Sequence, residues 1–492
     1  MNDEDAQLIR RVLDAVAAQT PVVAVVGDVI LDRWWTGTAE RISREAPAPV
    51  VRLTDRVDAP GGAANAAVNL AALGATVRVA AAVGDDDAGR RLATLLTTAQ
   101  VDTDALVCLP GYATQVKTRV AGGGQVLVRL DEGDVLDDGG RDRLTEAALT
   151  ATGSAAAELI CDYGAGAGTG SVRQALASRE NRPAVSVVDA HDLAGWAVLE
   201  PTVVTPNSAE AERLLGVSLG SGAHRVRVAQ ESRDVLLAAS GATGVVVTLD
   251  RDGTVVHDAT GTTRTTTAPA SEANASGAGD TFAAALTLAL AVGEALADAA
   301  RFAQAAADVV VRQPGTSVCT AAMLRSVSTA GTRLLDADAL VARLAEEHAS
   351  GKRIVFTNGC FDVLHLGHTA YLKQAKLLGD VLVVAVNDDD SVRRLKGPGR
   401  PINIAADRAD LLAELPAVDY VTVFDSDTPI PLLQRIQPDI YAKGGDYTAE
   451  MLQETDVVRG YGGTVRIVDY VSPHSTSRII ARSALAEQLT DD

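Results

Sequence analysis

The chain has 492 residues, more than the roughly 250–300 at which a single hydrophobic core stops growing, so we expect two or three domains. Its hydrophobic fraction of 47% and charged fraction of 22% are typical of globular proteins and exclude intrinsic disorder, collagen and coiled-coil arrays. The formal net charge of −20 disfavours nucleic acid as a partner. The 3 Trp, 8 Tyr and 5 Phe also leave few platforms for stacking bases.

Three features bear on the compartment. The longest uncharged apolar stretch, residues 281–293, is shorter than the roughly 20 residues needed to cross a bilayer, so no membrane span is expected. The amino terminus begins MNDED, which is acidic where a signal peptide is basic. The cysteines at 108, 161, 319 and 360 stand far apart, without a CxxC pair. Together these features predict a protein of the reducing cytoplasm.

Strand-like and helix-like segments alternate along most of the chain. From about Pro21, short apolar runs such as VVAVVGD and GVVVTLD are separated by stretches of helical spacing, which predicts buried parallel strands between helices. The strand pattern stops after Val311 and resumes at Arg353 with RIVFTNG. We therefore predict two α/β domains, 1–318 and a smaller 346–492, joined by a linker at 319–345.

The strongest local signal is TNGCFDVLHLGH at residues 357–368, a strand that passes through a glycine-containing turn into a helix. His365 and His368 are three residues apart, so they share one face of the helix start, where unpaired N–H groups and the helix dipole favour phosphate. This pattern predicts a site for a nucleoside triphosphate. Two alternatives remain: histidines with only a structural role, or a metal pair whose one evident further ligand is Asp362.

Three more loops of this domain follow predicted strands or carry cations. Lys396 and Arg400 lie in RLKGPGRP, KGGDY occupies 443–447, and STSRII at 475–480 places hydroxyls to cap a final helix. Because the carboxyl ends of parallel strands share one edge of a sheet, we expect all four loops to converge on one ligand.

These motifs resemble those of the HxGH nucleotidyltransferases, over residues 353–485, and in detail the members that adenylylate heptose 1-phosphate. The resemblance implies that His365 and His368 stabilise charge on the α-phosphate of ATP, while Lys396 and Arg478 neutralise the triphosphate and the pyrophosphate that leaves, with Mg²⁺ as cofactor. The nucleotide contacts that it implies are Thr357, Asn358, Gly359, Phe361, Arg400, Lys443, Gly444, Asp446, Ser475, Thr476, Ser477 and Arg478.

In the first domain, NASGAGDTF at residues 274–282 precedes an Ala/Leu-rich helix. The N–H groups of Gly277, Ala278 and Gly279 can form an anion hole for a transferring phosphoryl group, and Asp280 can accept a hydroxyl proton. The alternative is a tight turn that enters a buried helix. Taken alone, the motif does not decide between them.

Further motifs occur in the order found in ribokinase-like carbohydrate kinases: GGAAN (61–65), VGDD (83–86), TPNSAE (205–210) and TLDRDG (248–253). GDVILDRWW (27–35) and RISREAPAPV (41–50) resemble the members that phosphorylate heptose 7-phosphate. This resemblance covers residues 20–318 and implies a three-layer α/β domain that uses ATP and Mg²⁺. The sugar contacts that it implies are Asp28, Asp32, Gly62, Asn65 and Lys117, with Lys117 and Arg129 in a segment that closes over the sugar. Asn207 and Glu210 match the motif for phosphate and Mg²⁺, Glu210 being the metal residue, and Thr248 and Gly253 would flank ATP.

The first domain departs from the family pattern at three places. Ala165 in DYGAG stands where the family has lysine, His191 ends an Asp-Ala-His that replaces Asp-Pro-Lys, and Asn274 stands where aspartate is common. One missing charge-assisted contact corresponds to roughly 1.5–3 kcal/mol, a loss of about ten- to a hundredfold in rate. The alternative function is therefore an active nucleotidyltransferase whose kinase domain is a degenerate scaffold for oligomerisation or regulation.

The whole chain thus resembles the bifunctional heptose 7-phosphate kinases and heptose 1-phosphate adenylyltransferases. The resemblance implies phosphorylation at carbon 1 to the 1,7-bisphosphate, followed by adenylyl transfer from ATP to the 1-phosphate, which yields ADP-heptose and pyrophosphate. A separate phosphatase must act between the two steps. The resemblance also implies a homodimer, and another sugar or another nucleotide remains an alternative.

Overall fold

We describe the chain from a computed structural model, which covers residues 3–123, 125–267, 276–313, 315–331, 333–444 and 448–468. The chain divides into two units, Asp3–Ser328 and the residues from Thr329 onward. Each unit contains its own sheet or sheets and its own hydrophobic cores.

The first unit alternates strands and helices as predicted. Its strands are β1 (Val22–Gly27), β2 (Val29–Ile42), β3 (Pro49–Gly62), β4 (Thr76–Gly84), β5 (Leu106–Leu109), β6 (Val116–Gly122), β7 (Gln125–Glu132), β8 (Ala157–Asp162), β9 (Val185–Ala190), β10 (Val203–Val204), β11 (Gly244–Thr248), β12 (Thr254–Asp258) and β13 (Gly261–Thr265). Its helices are α1 (Asp3–Gln19), α2 (Ala63–Leu73), α3 (Asp87–Thr98), α4 (Asp138–Thr152), α5 (Gly170–Ser178), α6 (Ser208–Leu215), α7 (Gly222–Glu231), α8 (Arg233–Ser240), α9 (Ala278–Ala291), α10 (Leu296–Val310) and α11 (Ala321–Gly331).

A nine-stranded sheet in the order β13-β12-β11-β10-β9-β8-β1-β4-β5 forms the middle layer. Its strands are parallel except β12 and β13. Separate clusters of buried side chains cover the two faces, one including Leu70 and Leu286, the other Trp196 and Leu236. Because strands covered on both faces must be apolar throughout, runs such as that of β1 contain almost no polar residues. The expected three-layer α/β architecture is confirmed.

A second, four-stranded sheet in the order β3-β2-β6-β7 belongs to the same unit. Strand β2 pairs antiparallel with β3 and parallel with β6, so that Asp32 lies opposite Lys117. Every residue of β7 is exposed, including Val126, Val128 and Leu130. The segment predicted to close over the sugar lies in this sheet.

The second unit is a smaller parallel α/β domain. Its elements are α12 (Ala337–Ala349), β14 (Ile354–Gly359), α13 (Leu366–Lys376), β15 (Val381–Asn387), α14 (Asp389–Lys396), α15 (Ala405–Ala413), β16 (Tyr420–Phe424), α16 (Ile430–Ile436), β17 (Ile440–Gly444), α17 (Glu454–Gly460) and β18 (Thr464–Val468). All pairings in its sheet, ordered β16-β15-β14-β17-β18, are parallel. This is the predicted Rossmann-like domain, and its strand order reverses between β14 and β17.

The segment predicted as a linker, 319–345, is largely helical and is divided between the units. Cys319 and Leu324 are buried in a core of the first unit, whereas Leu340 and Leu344 are buried in a core of the second. The apolar side chains of α11 and α12 recur at helical spacing, so each helix packs into a hydrophobic core instead of spanning solvent. The limits of the two functional domains stay a prediction.

Among the described helices, none has both the length and the apolar character that a bilayer crossing requires.

Arg408 in α15 is completely buried and holds the loops of the second unit together. Its guanidinium donates to the carbonyl oxygens of Cys360 (2.6 Å) and Asn403 (2.9 Å) and to Asp389 Oδ1 (2.7 Å). We expect Arg408→Met to lower the free energy of unfolding by about 3 kcal/mol, because it leaves these acceptors unpaired. Chemical denaturation of the full-length protein measures this loss.

Arg435→Met is the matched control, because Arg435 pairs with Asp338 where both side chains are exposed. Its loss should stay below about 1 kcal/mol. Equal losses in the two variants would contradict the anchoring role of Arg408.

Candidate active sites

The first candidate site lies where the strand order of the nine-stranded sheet reverses. Strands β1 and β8 are neighbours there, and their carboxyl ends lead into Asp28 and Tyr163. In open parallel sheets this crevice is the usual place for a ligand. Most of the kinase residues predicted from the sequence are found around it.

Asp28 anchors the loop that follows β8. Its carboxylate accepts the backbone N–H groups of Tyr163 (2.9 Å), Ala165 (3.0 Å) and Ala167 (3.1 Å). Burial raises the pKa of Asp28, and these three donors oppose that rise. The carboxylate is thus committed to the loop backbone, and its predicted contact with sugar stays a prediction.

Ala165, which replaces the family's lysine, is packed inside this loop. Its side chain is 9% exposed and borders a cavity of only about 10 Å³, beside Asp28 and Leu136. From the other side, Asp162 Oδ2 accepts hydrogen bonds from Trp196 Nε1 (2.9 Å) and Arg173 Nη2 (3.1 Å). The loop is therefore held in place without a lysine at position 165.

Asp280, the predicted base, lies in the first turn of α9 and is held by two donors. Its Oδ2 accepts from Asn65 Nδ2 at 3.0 Å, and its Oδ1 lies 3.0 Å from the hydroxyl of Tyr163. Asn69 Nδ2 donates to Asn65 Oδ1 (3.0 Å), which sets the orientation of the Asn65 amide. The structure therefore brings together Asn65 and Asp280, which are 215 residues apart.

The start of α9 has the open backbone expected of an anion hole. Gly277 precedes the helix with φ 82°, and a Cβ there would lie 2.7 Å from Asn65 Nδ2, so this position requires glycine. A Cβ on Gly279 would meet nothing within 4 Å. Among the described residues, no side chain caps the helix, so the N–H groups of Ala278 and Gly279 are available to an anion. Asn274 lies outside the described residues.

Two acidic residues of this site have raised pKa values. Burial raises the pKa of Asp280 to about 6, against the hydrogen bonds from Asn65 and Tyr163. Burial also raises the pKa of Asp189, at the end of β9, to about 7. The Tyr163 hydroxyl lies 2.6 Å from Asp189 Oδ2. Sequence reasoning missed Tyr163 and Asp189 as site residues, although their positions at the carboxyl ends of β8 and β9 were the available signal.

The remaining predicted sugar residues border the same crevice. Gly62 caps α2 with φ 57°, and a Cβ there would lie 2.7 Å from the carbonyl oxygen of Asp28. Asp32 accepts from Arg119 Nη1 (2.8 Å) and from Thr316 Oγ1 (3.0 Å). The charge of Lys117 lowers the pKa of Asp280, which places Lys117 toward the site. Arg129, in contrast, lies on exposed β7 and pairs with Asp131.

Asn207 and Glu210 form a capping box at the start of α6. Asn207 Oδ1 accepts the Glu210 N–H (3.0 Å), and Glu210 Oε2 accepts the Asn207 N–H (2.9 Å). Glu210 Oε1 lies 2.8 Å from His191 Nδ1, and this hydrogen bond raises the pKa of His191. An open cavity of about 410 Å³ is lined by His191, Asp192, Asn207, Ala209, Glu210 and Arg213.

Thr248 and Gly253 lie at the two ends of the connection between β11 and β12. Thr248, the last residue of β11, forms an isolated bridge with Asn207. Gly253 has φ 84°, and a Cβ there would come within 2.2 Å of the Thr265 carbonyl oxygen. The structure thus brings Thr248 beside the capping box, while Gly253 serves the turn into β12.

The second candidate site lies at the strand-order reversal of the five-stranded sheet. Lys443 Nζ, at the end of β17, donates to Asn358 Oδ1 (2.9 Å), at the end of β14. The Tyr371 hydroxyl donates to the Ala442 carbonyl oxygen (3.0 Å) and accepts from Thr357 Oγ1 (2.6 Å). Gly359 and Gly444 end the two strands. The predicted convergence of the loops after β14 and β17 is therefore present.

His365 and His368 stack at the start of α13. Their ring centroids are 3.8 Å apart, and Phe361 packs edge-on against His368 at 5.2 Å. Burial lowers the pKa of His368 to about 4, and the charges of His365 and Lys396 act in the same direction. His368 is therefore neutral at pH 7. Lys396 ends α14 and is exposed.

Asp362 is a loop anchor in this structure. Its carboxylate accepts from Arg400 Nη1 (2.6 Å) and from the N–H groups of Ile402 (2.6 Å) and Asn403 (3.2 Å). Across the described ranges, no three His, Cys, Asp or Glu side chains are grouped as a metal site would need. The structure therefore does not favour the alternative metal pair with Asp362. Asp446, Ser475, Thr476, Ser477 and Arg478 lie outside the described residues.

Comparison with known families agrees with both halves. The model of the pfkB family of carbohydrate kinases matches residues 21–323, and the cytidylyltransferase-like model matches residues 356–482. Phosphofructokinase-2 from Escherichia coli in complex with potassium superposes with a TM-score of 0.54 at 21% identity, over 64% of this chain and 100% of that chain. At that identity the likeness shows the fold alone, which is ribokinase-like.

Full-length relatives share the complete architecture. The bifunctional protein HldE of Alcanivorax borkumensis is 38% identical over 465 residues, covering 94% of this chain and 96% of the relative. HldE of Geobacter metallireducens is 39% identical over 472 residues, covering 93% and 94%. The resemblance seen in the motifs is confirmed. The chain therefore belongs to the family of bifunctional HldE proteins, and it is both a carbohydrate kinase and a nucleotidyltransferase.

Proposed function

We propose that the first unit transfers the γ-phosphoryl group of ATP to carbon 1 of heptose 7-phosphate, and that the second transfers an adenylyl group from ATP to heptose 1-phosphate. The products are heptose 1,7-bisphosphate in the first reaction, and ADP-heptose with pyrophosphate in the second. The observation that carries the kinase half is the buried Asp280 carboxylate beside the start of α9, which no side chain in the described part of the chain caps. Free cysteines at all four positions support a reducing compartment, the cytoplasm.

In the kinase reaction, Asp280 accepts the proton of the attacking sugar hydroxyl. With a pKa of about 6 it is ionised at neutral pH yet more basic than an ordinary aspartate. The N–H groups at the start of α9 stabilise the negative charge of the phosphoryl group in transfer. Because these groups are fixed by the helix, no reorganisation is needed at the moment of reaction.

Mg²⁺ fits the cavity that Asn207 and Glu210 line. Mg²⁺ is commonly held by one or two carboxylates together with substrate phosphates, and Glu210 supplies one carboxylate at this cavity. When bound, the ion neutralises phosphate charge. Glu210 Oε2 accepts the Asn207 N–H and Oε1 lies 2.8 Å from His191 Nδ1, so an ion held by Glu210 would share this carboxylate with His191.

The alternative of a degenerate kinase is not supported by the described residues. Asp280, Asn65 and the open helix start are all in position. The loop that contains Ala165 is held by Asp28 and is well packed. We therefore expect the loss of lysine at this position to moderate the rate rather than to abolish turnover.

Asp280→Asn tests the kinase assignment. The amide has the same shape but does not accept the hydroxyl proton, so ADP formation from ATP and heptose 7-phosphate should fall by about a hundredfold or more. Pyrophosphate release by the second unit should be unchanged. Coupled assays of ADP and pyrophosphate measure both activities.

Asp298→Asn, at a partly exposed position in the same unit, is the control and should retain kinase activity. ADP formation by Asp280→Asn at the wild-type rate would refute the assignment. Absence of ADP formation by the wild-type protein itself would favour the scaffold alternative.

In the transferase reaction, an oxygen of the sugar 1-phosphate attacks the α-phosphate of ATP in line, and pyrophosphate leaves. His365 and His368 lie at the helix start where that charge develops, and the neutral His368 ring donates one hydrogen bond. The charge of Lys396 is close enough to His368 to lower its pKa, which supports a role beside the phosphates. Positioning and charge stabilisation suffice, without a covalent intermediate.

His368→Ala should cut pyrophosphate release by about a hundredfold or more, since loss of a preorganised donor typically costs about 2.7–4 kcal/mol. Kinase turnover should not change. His348→Ala, at an exposed histidine of the same unit, is the matched control and should retain full transfer activity. Near-normal transfer by folded His368→Ala would place the reaction elsewhere.

The two reactions leave a phosphate to be removed, because the kinase makes a 1,7-bisphosphate and the transferase uses a 1-phosphate. Asp388 and Asp390, an Asp-x-Asp pair at the end of β15, have other roles: Asp388 caps α14 and Asp390 pairs with Arg393. We therefore propose a separate bisphosphate phosphatase as a partner in the reaction sequence.

Given heptose 7-phosphate, ATP and Mg²⁺, the protein alone should stop at the bisphosphate. Addition of a bisphosphate phosphatase should let the mixture proceed to ADP-heptose. Mass spectrometry of the two mixtures distinguishes the products. ADP-heptose in the first mixture would show that the transferase accepts the bisphosphate or that the chain contains a hydrolytic site.

The four-stranded sheet supports the proposed homodimer. The side chains of Val57, Val126, Val128 and Leu130 are each 46–50% exposed on this sheet. Apolar groups of this number on one small sheet favour burial against another protein surface. We propose that this other surface belongs to a second copy of the same chain.

A further inference from the structure

The Tyr163 hydroxyl lies between two buried carboxylates. It is 2.6 Å from Asp189 Oδ2 and 3.0 Å from Asp280 Oδ1. A phenol carries one proton and donates one hydrogen bond. Two carboxylate oxygens at hydrogen-bonding distance from the same hydroxyl therefore require a second proton, on one of the two carboxyl groups.

The contacts of the two carboxyl groups identify the one that carries it. Asp280 has a second donor, Asn65 Nδ2, whose orientation Asn69 sets, so Asp280 is built to accept. Asp189 also receives one other described hydrogen bond, from Thr205 Oγ1 to its Oδ1 (3.1 Å), so the two groups differ in the length of their contact with Tyr163 and not in their number of donors. Asp189 Oδ2 makes the shorter contact with Tyr163. The second proton therefore belongs on Asp189 Oδ2, which leaves the Tyr163 proton for Asp280.

The surrounding charges agree with this assignment. Burial raises the pKa of both groups, and Asp189 faces the further negative charges of Glu210 and Asp280. Asp280 faces Asp32, which raises its pKa, and Lys117, which lowers it. The Cys161 thiol also faces Tyr163, and the His191 ring lies 5.6 Å from the Tyr163 ring. Burial raises the pKa of both carboxyl groups toward neutral, so one proton held between them near pH 7 agrees with the contacts at Tyr163.

We propose that Asp189 and Tyr163 form a hydrogen-bond relay that positions the catalytic carboxylate of Asp280: protonated Asp189 donates to Tyr163, and Tyr163 donates to Asp280. The relay rests on the kinase function proposed above. In the reaction the proton of the sugar hydroxyl goes to Asp280, while Asp189 and Tyr163 keep theirs. Both are positioning residues, since they act through Asp280.

The carboxylate to which Tyr163 donates its hydrogen bond depends on pH. When Asp189 loses its proton, the Tyr163 hydroxyl turns to the nearer Asp189 oxygen, and Asp280 loses a donor. Kinase activity should therefore decline on the alkaline side as Asp189 ionises, and on the acidic side as Asp280 becomes protonated.

The variant Asp189→Asn separates the alkaline decline, which depends on Asp189, from the acidic decline, which depends on Asp280. The introduced amide N–H donates to the Tyr163 oxygen at every pH, and Thr205 still donates to the amide oxygen, which sets its orientation. We expect kcat at pH 7 within about threefold of the wild type, and no alkaline decline up to about pH 9. Every variant and the wild type are assayed for ADP formation on the same substrates, so titration of the substrate phosphates is common to all profiles.

Tyr163→Phe removes the donor from Asp280. That hydrogen bond lowers the pKa of Asp280, so its loss should move the acidic limb to higher pH. We also expect kcat to fall about tenfold or more, with KM changed less than about threefold. Tyr112→Phe, at a partly buried tyrosine of the same unit, is the control and should keep the wild-type profile.

Thermal melting and circular dichroism of each variant report the fold. The proposal is overturned if the active wild type shows no alkaline decline, if Asp189→Asn keeps that decline, or if folded Tyr163→Phe shows an unshifted acidic limb. If Tyr163→Phe does not fold, the profile of Asp189→Asn decides. A wild-type protein that forms no ADP at any pH would instead refute the kinase function on which the relay rests.

Discussion

The kinase site depends on one carboxylate, that of Asp28, which binds the loop after β8 through three backbone N–H groups. A hydrogen bond to a charged group contributes about 1.5–3 kcal/mol, so the three together offset part of the cost of burying the charge. Because the N–H of Tyr163 is one of the three, the same interaction sets where the tyrosine side chain begins. From there its hydroxyl reaches Asp189 on β9 and Asp280 on α9.

In the second unit, too, buried charged side chains hold loops in place. The buried carboxylate of Asp362 binds the loop at 400–403, and the buried guanidinium of Arg408 binds the carbonyl oxygens of Cys360 and Asn403. These contacts fix the connection between β14 and α13. His365 and His368 lie at the helix end of that connection, with a polar ring atom of His368 buried and unpaired among the described residues. In both units, buried charges hold loops so that the reactive groups stay available to substrate.

The sequence alone predicted the strands, from the spacing of apolar residues, and the meeting of loops at the carboxyl ends of neighbouring strands. The apolar run RIVFTNG that begins at Arg353 contains strand β14, and the rule that carboxyl ends share an edge correctly predicted that Asn358 and Lys443 lie together. The sequence alone did not predict which side chains are hydrogen-bond partners. Asp362 was read as a candidate metal ligand and is a loop anchor, because its partners lie about 40 residues away in a loop whose path the sequence does not reveal. Tyr163 and Asp280 are 117 residues apart, and no local pattern links them.

The loop after β8 is contacted by the carboxyl groups of Asp28, Asp162 and Asp189. Ala165 contributes no charge, so each acid near the loop has to be compensated in another way. Backbone N–H groups compensate Asp28, and the guanidinium of Arg173 compensates Asp162. Asp189 has no cation among its described hydrogen-bond partners, only two hydroxyl groups. A carboxyl group so placed is least costly to bury when it holds a proton. Burial thus favours a proton on Asp189.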